Sequence, residues 1–340
     1  MIEIPVPDPQ ARAAALERLD ALVKPLGALG RLEELAAWLC AAHGQVPPKP
    51  LENVRVVVFA GDHGVSNVSA YPREVTAAMV QVFLAGKSGV NVLARQVGAH
   101  VRVVDIAVDA DLPDVPAEVT AHKIRRGSGS IDIADALAPG EAQAAFEAGR
   151  AIADAEIAAG ADLLIPGDMG IGNTTIAAAL VAATLGLPAE DVVGSGTGVD
   201  EAGRERKATV VTQALSRPRG SGPFDVLTAL GSACAAATAG FLVQGAARGV
   251  PVLLDGVFSG AAAVVAREIA PDAVQWWLAG HRSTEPSQAY ALKALGLTPI
   301  LDLGLRLGEG SGAVQAVPTL RAARAIITDM GLLSDLSPAS

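Results

Sequence analysis

The sequence predicts an α/β fold, a parallel sheet covered by helices. Three observations carry the prediction. Short apolar runs alternate with longer alanine-rich stretches along most of the chain, the pattern of repeated strand–helix units. Several joints between them are rich in glycine, as at Gly61-Asp62-His63-Gly64 and from Gly167 to Thr175. The 340 residues are 51% hydrophobic but only 3% aromatic, so small aliphatic side chains let thin helices lie close to a sheet.

The elements follow in order. Ala11 to Val23 and Arg31 to Ala42 read as amphipathic helices around the Pro/Gly-punctuated turn Lys24 to Gly30. No strand precedes them, so they form a helical appendage. Val54 to Ala60 is a buried strand, Arg73 to Val97 a helix interrupted near Gly86, and His100 to Ile106 the next strand. Ala107 to Pro139 is irregular. A helix from Glu141 to Ala158 leads to a strand from Ala161 to Ile165 and an alanine-rich helix from Ile176 to Leu185. Glu201 to Leu215 is a helix carrying Lys207, and Val226 to Arg248 a single buried helix. Strands at Pro251 to Asp255, Gln275 to Ala279 and from Pro299 alternate with helices at Ala261 to Ile269, Glu285 to Leu295 and Val314 to Met330. Ser334 to Ser340 is a loose end. All the glycine-rich turns are expected at the carboxyl ends of strands, where such sheets bind ligands.

Composition excludes several classes. A net charge of −10, with no basic run or aromatic ladder, argues against general nucleic-acid binding. Cys40 and Cys234 sit in apolar surroundings and read as buried thiols, and the five histidines are scattered without metal-ligand spacing, so no metal or cofactor is expected. Val226 to Ala247 carries no charge and is long enough to span a bilayer, but its small and polar residues fit a buried helix better. The N-terminus lacks a charged start and an apolar signal core. The expected setting is the cytoplasm, with no membrane partner.

Two turns carry chemistry. In Arg306-Leu-Gly308-Glu309-Gly310-Ser-Gly-Ala313 one carboxylate stands among glycines, which let a backbone approach a ligand closely. The helix start that follows offers N–H groups to an anion; alternatively the loop is a plain cap with Glu309 facing water. In Ile165-Pro-Gly-Asp168-Met-Gly170-Ile-Gly172-Asn173-Thr174-Thr175 the order strand, glycine turn, helix is the one that cradles phosphate. Asn173, Thr174 and Thr175 add side-chain donors or cap the helix. Gly194-Ser-Gly196-Thr-Gly198 is a third such turn, without the spacing of a dinucleotide fingerprint. Gly86-Lys87-Ser88 resembles the end of a P-loop, but Gln81 stands where the first glycine is required. No Gly-x-Ser-x-Gly elbow marks a serine hydrolase.

Together these segments resemble one family, the nicotinate-nucleotide–dimethylbenzimidazole phosphoribosyltransferases of cobalamin lower-ligand assembly. The resemblance rests on Lys24-Pro-Leu-Gly-Ala-Leu-Gly-Arg-Leu-Glu33, Gly61-Asp-His-Gly-Val65 with Val68-Ser-Ala-Tyr-Pro72, Gly167 to Thr175, Pro251-Val-Leu-Leu-Asp-Gly256 and Arg306 to Ala313. It implies a Rossmann-like α/β domain at residues 51–312, a smaller helical domain from residues 1–50 and 313–340, and a homodimer. It places the family's general base on Glu309, its phosphate turn on Gly170, Gly172, Asn173, Thr174 and Thr175, a further phosphate contact on Ser283, the benzimidazole-binding serine on Ser69 and an active-site lysine on Lys207. Gly308 and Gly310 flank the base. The family often has Glu where this chain has Asp168, one methylene shorter.

The implied reaction moves a 5-phosphoribosyl group from nicotinate mononucleotide to 5,6-dimethylbenzimidazole. The donor's pyridinium is already a cationic leaving group, so no metal-bound pyrophosphate has to be expelled. Two alternatives stay open: transfer to another aromatic base, and a non-catalytic nucleotide- or base-binding sensor. A dimer is expected also because Leu16, Leu19, Leu22, Leu32, Leu35, Trp38 and Leu39 need a surface, either a second copy or the chain's own C-terminal helix around Ile326 and Leu332.

Overall fold

The computed structural model describes residues 2–336. Two helices, α1 (Pro9–Asp20) and α2 (Arg31–His43), precede the first strand, β1 (Val54–Gly61). Then follow α3 (Val75–Leu84), α4 (Gly89–Val97), β2 (His100–Ala107), a short α5 (Ala117–Thr120), α6 (Glu141–Ala158), β3 (Leu163–Met169), α7 (Asn173–Leu185), a short α8 (Ala189–Val192), α9 (Glu201–Ser216), α10 (Pro223–Leu230) and α11 (Ala233–Ala247). The last part is β4 (Val252–Leu254), α12 (Val257–Ile269), β5 (Trp277–His281), α13 (Pro286–Leu295), β6 (Pro299–Leu301) and α14 (Ser311–Asp329).

The strands form one sheet in the order β2-β1-β3-β4-β5-β6, and each adjacent pair is parallel. Strand order reverses between β1 and β3, which opens a crevice at their carboxyl ends. Side chains alternate across the sheet as strand geometry requires. Val57, Phe59, Leu164, Val252 and Leu254 join the core under α6, α7, α10, α11 and α12. Val56, Val58, Leu163, Ile165 and Leu253 face the other way, against α2, α4 and α14.

The small-residue composition is used most fully where α6 crosses α11. A Cβ on Gly149 would lie 1.8 Å from the Ala237 carbonyl oxygen, and one on Gly240 would lie 1.9 Å from that of Phe146. The helices therefore meet backbone to backbone.

Three expectations change, and one left open between two surfaces is decided. The stretch from Val226 to Arg248 is two helices, not one, because Gly231 breaks the first and the Ser232 hydroxyl caps the second by accepting the Ala235 N–H. Residues 271–276 form a 3₁₀ turn, so the fifth strand starts at Trp277 rather than Gln275. Residues 333–336 form a 3₁₀ turn on the terminal helices, while the remainder of the expected loose end, 337–340, lies outside the described residues. The apolar faces of α1 and α2 are covered by the chain itself: Leu19, Leu22, Leu35 and Leu39 are buried in one cluster with Leu320 and Ile327 of α14, and Leu32, Trp38, Ile326 and Leu332 pack against it. Leu16 alone of the seven stays exposed. Those faces therefore give no argument for a second copy.

The stretch from Val75 to Val97 is apolar and long enough to cross a membrane by composition. It bends at residues 85–88, and both of its helices pack on β2. Cys40 and Cys234 are buried free thiols, as expected.

Candidate active site

The crevice at the β1/β3 carboxyl ends gathers most of the expected residues. Ser69, Asp168, Gly170, Gly172, Asn173, Thr174, Thr175 and Lys207 line one cavity together with Ser195 to Thr197 and Leu307. Ser283 and Gly308 line a second cavity that shares Asp168, Asn173, Thr174 and Leu307 with the first and adds His281, Glu285 and Arg306. Glu309 and Gly310 line neither: Glu309 Oε2 accepts the Val90 N–H behind the wall, and the Gly310 N–H turns inward to Asp255. A larger cavity of about 560 Å³ lies at the opposite edge of the sheet, by the starts of β5 and β6, lined by Arg31, Trp38, Gln275 and Leu297. It is remote from both turns and contains none of the expected residues.

The phosphate-like turn is held from below. Gly172, at φ +94°, precedes α7, and a Cβ there would meet the His63 side chain at 3.3 Å. His63 is buried, which pushes its imidazole pKa down to about 4 and keeps it neutral at pH 7. Gly172 supplies no side-chain cap, and among the described residues the first-turn N–H groups of α7 go to Gly170, Gly172 and Asn173 oxygens, none to a carboxylate. Asn173 does cap locally, its Oδ1 accepting the Thr174 N–H at 2.8 Å. Its amide nitrogen donates to Asp168 at 2.5 Å, the one side-chain bond found for that aspartate.

Lys207 reaches this turn from α9. Its ammonium donates to Thr174 Oγ1 at 2.9 Å and to the Gly194 carbonyl at 3.1 Å. Burial lowers its pKa, and Glu285 opposes the shift. Glu285 accepts the Gly196 N–H at 2.7 Å, so the Gly194–Gly196 loop is fixed from both sides. This loop follows α8, not a strand, which corrects the expectation that every glycine turn ends a strand; the fold brings it to the site all the same.

The turn with Glu309 is tightly constrained. Glu309 is the only non-glycine residue with positive φ, +63°, among the described residues. Such a backbone persists only where its surroundings enforce it. Its N–H donates to the Asp168 carbonyl at 3.3 Å, and a Cβ on Gly167 would lie 2.2 Å from its carbonyl oxygen, so β3 runs directly beneath the turn. Asp255, at the end of β4, accepts the N–H groups of Gly310, Gly312 and Ala313 at 3.1, 2.8 and 2.9 Å. The α14 start is therefore filled by the protein's own carboxylate and is closed to a substrate anion, contrary to expectation.

Three carboxyl groups meet here. Burial raises the Asp255 pKa to about 7, against its three N–H donors and with the help of Glu309's charge. Burial also raises Asp168 to about 7; Asn173 opposes, while Asp255 and Glu309 add to the rise. Glu309 is 4% exposed and raised by burial, with the Val90 N–H, the Ser88 hydroxyl and the Gly89 N–H opposing. His281 Nε2 lies 3.5 Å from Asp255, but burial lowers its pKa, so the contact is not an ion pair at pH 7. Among the described residues, no group of three or more His, Cys, Asp or Glu is placed to hold a metal ion. Asp255, Glu285 and the Ser88–Val90 segment were missed as site residues; the Asp-Gly pair ending an apolar strand was the one available signal.

Comparison with known proteins agrees with the resemblance. A phosphoribosyltransferase family model matches residues 4–335. The nicotinate-nucleotide–dimethylbenzimidazole phosphoribosyltransferase of Mycolicibacterium paratuberculosis is 56% identical over 328 residues, 95% of this chain and 93% of that one. The protein of the same name from Mycobacterium tuberculosis is 53% identical, with 98% and 92% covered. The crystal structure of CobT from Thermus thermophilus superposes with a TM-score of 0.93 at 46% identity, covering 97% of this chain and all of that one. With the match spanning nearly every residue and the fold reproduced throughout, this chain belongs to the nicotinate-nucleotide–dimethylbenzimidazole phosphoribosyltransferase family.

Proposed function

We propose that this protein transfers the 5-phosphoribosyl group of nicotinate mononucleotide to 5,6-dimethylbenzimidazole, giving α-ribazole 5′-phosphate and nicotinate for the lower ligand of cobalamin. The observation that carries the proposal is one crevice at a helix start whose backbone N–H groups bind no carboxylate, with the buried Glu309 carboxylate, on an enforced backbone, directly behind the Leu307–Gly308 wall of that crevice. The donor phosphate sits at the α7 start, with Thr174 and Thr175, Ser283 and the Lys207 ammonium as donors. One acceptor nitrogen attacks the anomeric carbon as the bond to nicotinate breaks. The electron pair of that bond neutralises the pyridinium. Positive charge then grows on the acceptor, and Glu309 takes the proton from its other nitrogen. Asp168 and Asp255, raised to about 7 by burial, contribute negative charge only in part near neutral pH where the sugar becomes cationic. Ser69, across from Leu307, holds the acceptor.

The leaving group needs no charge neutralisation, so turnover proceeds without added metal; activity lost with a chelator and restored by magnesium would refute this. The site of action is the cytoplasm, a point for cell fractionation. The working unit is a homodimer, so light scattering at low micromolar protein gives about twice the 34.3 kDa chain mass. The primary test is incubation of purified protein with nicotinate mononucleotide and dimethylbenzimidazole. Free nicotinate and a ribosylated base are expected. Nicotinate released only with a different base favours another acceptor, and binding without release favours a sensor.

A further inference from the structure

We infer that Ser88, Gly89 and Val90, at the start of α4, are the positioning element of Glu309: they select the carboxylate oxygen that faces the acceptor and hold the group ionised. The inference rests on Glu309 being the base. The segment lies on the Gly86-Lys87-Ser88 sequence that imitates a P-loop, and the structure gives it a different anion to hold. Glu309 Oε2 accepts the Val90 N–H at 2.9 Å, a contact between residues 219 positions apart. The Gly89 backbone lies against the same oxygen, a Cβ there standing 3.3 Å from it. A helix start favours the charged form through its free N–H groups and its dipole.

The element is itself rigid. Ser88 is 3% exposed and Asn91 9%, and they close a capping box: Ser88 Oγ accepts the Asn91 N–H, and Asn91 Oδ1 accepts the Ser88 N–H, both at 3.3 Å. The Ser88 hydroxyl also donates to Asn91 Oδ1 at 2.7 Å. Gly89 has no room to be anything larger. A Cβ there would stand 3.3 Å from Glu309 Oε2 and 2.5 Å from Leu307 Cδ2. It would press on the base and on the residue that roofs the cavity.

The need for such an element follows from the other groups around Glu309. From β3 and β4 it faces Asp168 and Asp255, both acidic. The nearby cations are engaged elsewhere: Arg95 of α4 donates to the Gly86 carbonyl and Arg306 to that of Gly196. The α4 start is the counterweight that keeps a proton off the base.

The test uses full-length Ser88→Ala, Ser88→Gly and Ser88→Thr, with single-turnover rates and donor affinity measured across pH. Glycine is a tolerated helix cap, so Ser88→Gly removes the hydroxyl while sparing the fold should alanine disturb it. In Ser88→Ala and Ser88→Gly the acid limb of the rate profile is expected to move up by roughly half to one pH unit, since the capping box that holds the Val90 N–H on Glu309 is lost. Donor affinity stays within about twofold, and Ser88→Thr restores the limb. An unmoved limb in both variants overturns the inference. Glu309→Gln, run in parallel, separates the two claims: if it turns over like wild type, the base assignment fails. If it is inactive while the Ser88 profiles do not move, only the positioning role fails.

Discussion

The two glycine turns of the crevice share one local plan and end with opposite electrostatics. Each places glycines before a long helix, α7 in one and α14 in the other. Among the described residues no carboxylate accepts a backbone N–H of the α7 start, which faces the cavity. The α14 start is filled by Asp255, and its turn presents the Glu309 carboxylate instead. On the proposed function, one helix start takes the substrate's anion, while the other is closed by Asp255 beneath the Glu309 turn. Local sequence does not distinguish these cases. The difference lies in whether the fold brings a carboxylate from another strand.

Removing the base breaks the comparison most sharply. Glu309→Gln is expected to lower turnover on the order of a hundredfold to ten-thousandfold with donor binding nearly intact, checked by single-turnover kinetics and calorimetry. Wild-type turnover would end Glu309's role. Opening the closed helix start comes next. Asp255→Asn weakens the charge-assisted bonds to the α14 start, at about 1.5–3 kcal/mol each, and should cost roughly ten- to a hundredfold in kcat with a small change in donor KM. Thr174→Val acts on the open helix start. It removes the acceptor that anchors Lys207 and, on the proposed function, a donor to phosphate, so donor KM should rise about five- to tenfold with kcat little changed. If both variants alter the same parameter, the division of roles between the turns is wrong.

A separate effect is on stability. Asp255 titrates near 7 when folded and near 3.9 when unfolded, so the folded state binds the extra proton between those values. Its contribution to the stability of the ligand-free protein therefore falls as pH rises from about 4 to 7. Buried His43 and His63, both lowered to about 4, act in the opposite sense below pH 6.5. The measurement is thus the melting-temperature difference between wild type and Asp255→Asn. Wild type should lose ground against the variant on going from pH 5 to pH 7.5; a constant difference contradicts the buried, proton-holding Asp255.

The sheet was legible because its strands carry their own signal. Val54 to Ala60 reads as buried from its unbroken apolar run, and the turn from Gly167 to Thr175 reads as a cradle from glycine spacing. Contacts made at long range were not legible. Asp255 meets Gly312 across 57 positions, and Val90 meets Glu309 across 219; neither has a local pattern. The break between α10 and α11 was missed because apolar residues continue through Gly231 and Ser232. The cover of the terminal helices was left open between two surfaces, since amphipathic spacing states that a face is buried and not against what.

Helix α14 begins two residues after the base and ends among the chain termini, where Arg18 donates to the Ile327 carbonyl and Leu22 bridges to Leu332. Its 19 residues make a rod of roughly 28 Å. Loosening of the α1–α14 packing would reach the Glu309 turn through this helix, whose hydrogen-bond ladder is interrupted at Pro318. Heat inactivation should set in with loosening of the outermost helices, ahead of sheet melting. A fusion partner placed on the first helix would be felt as a change in catalysis.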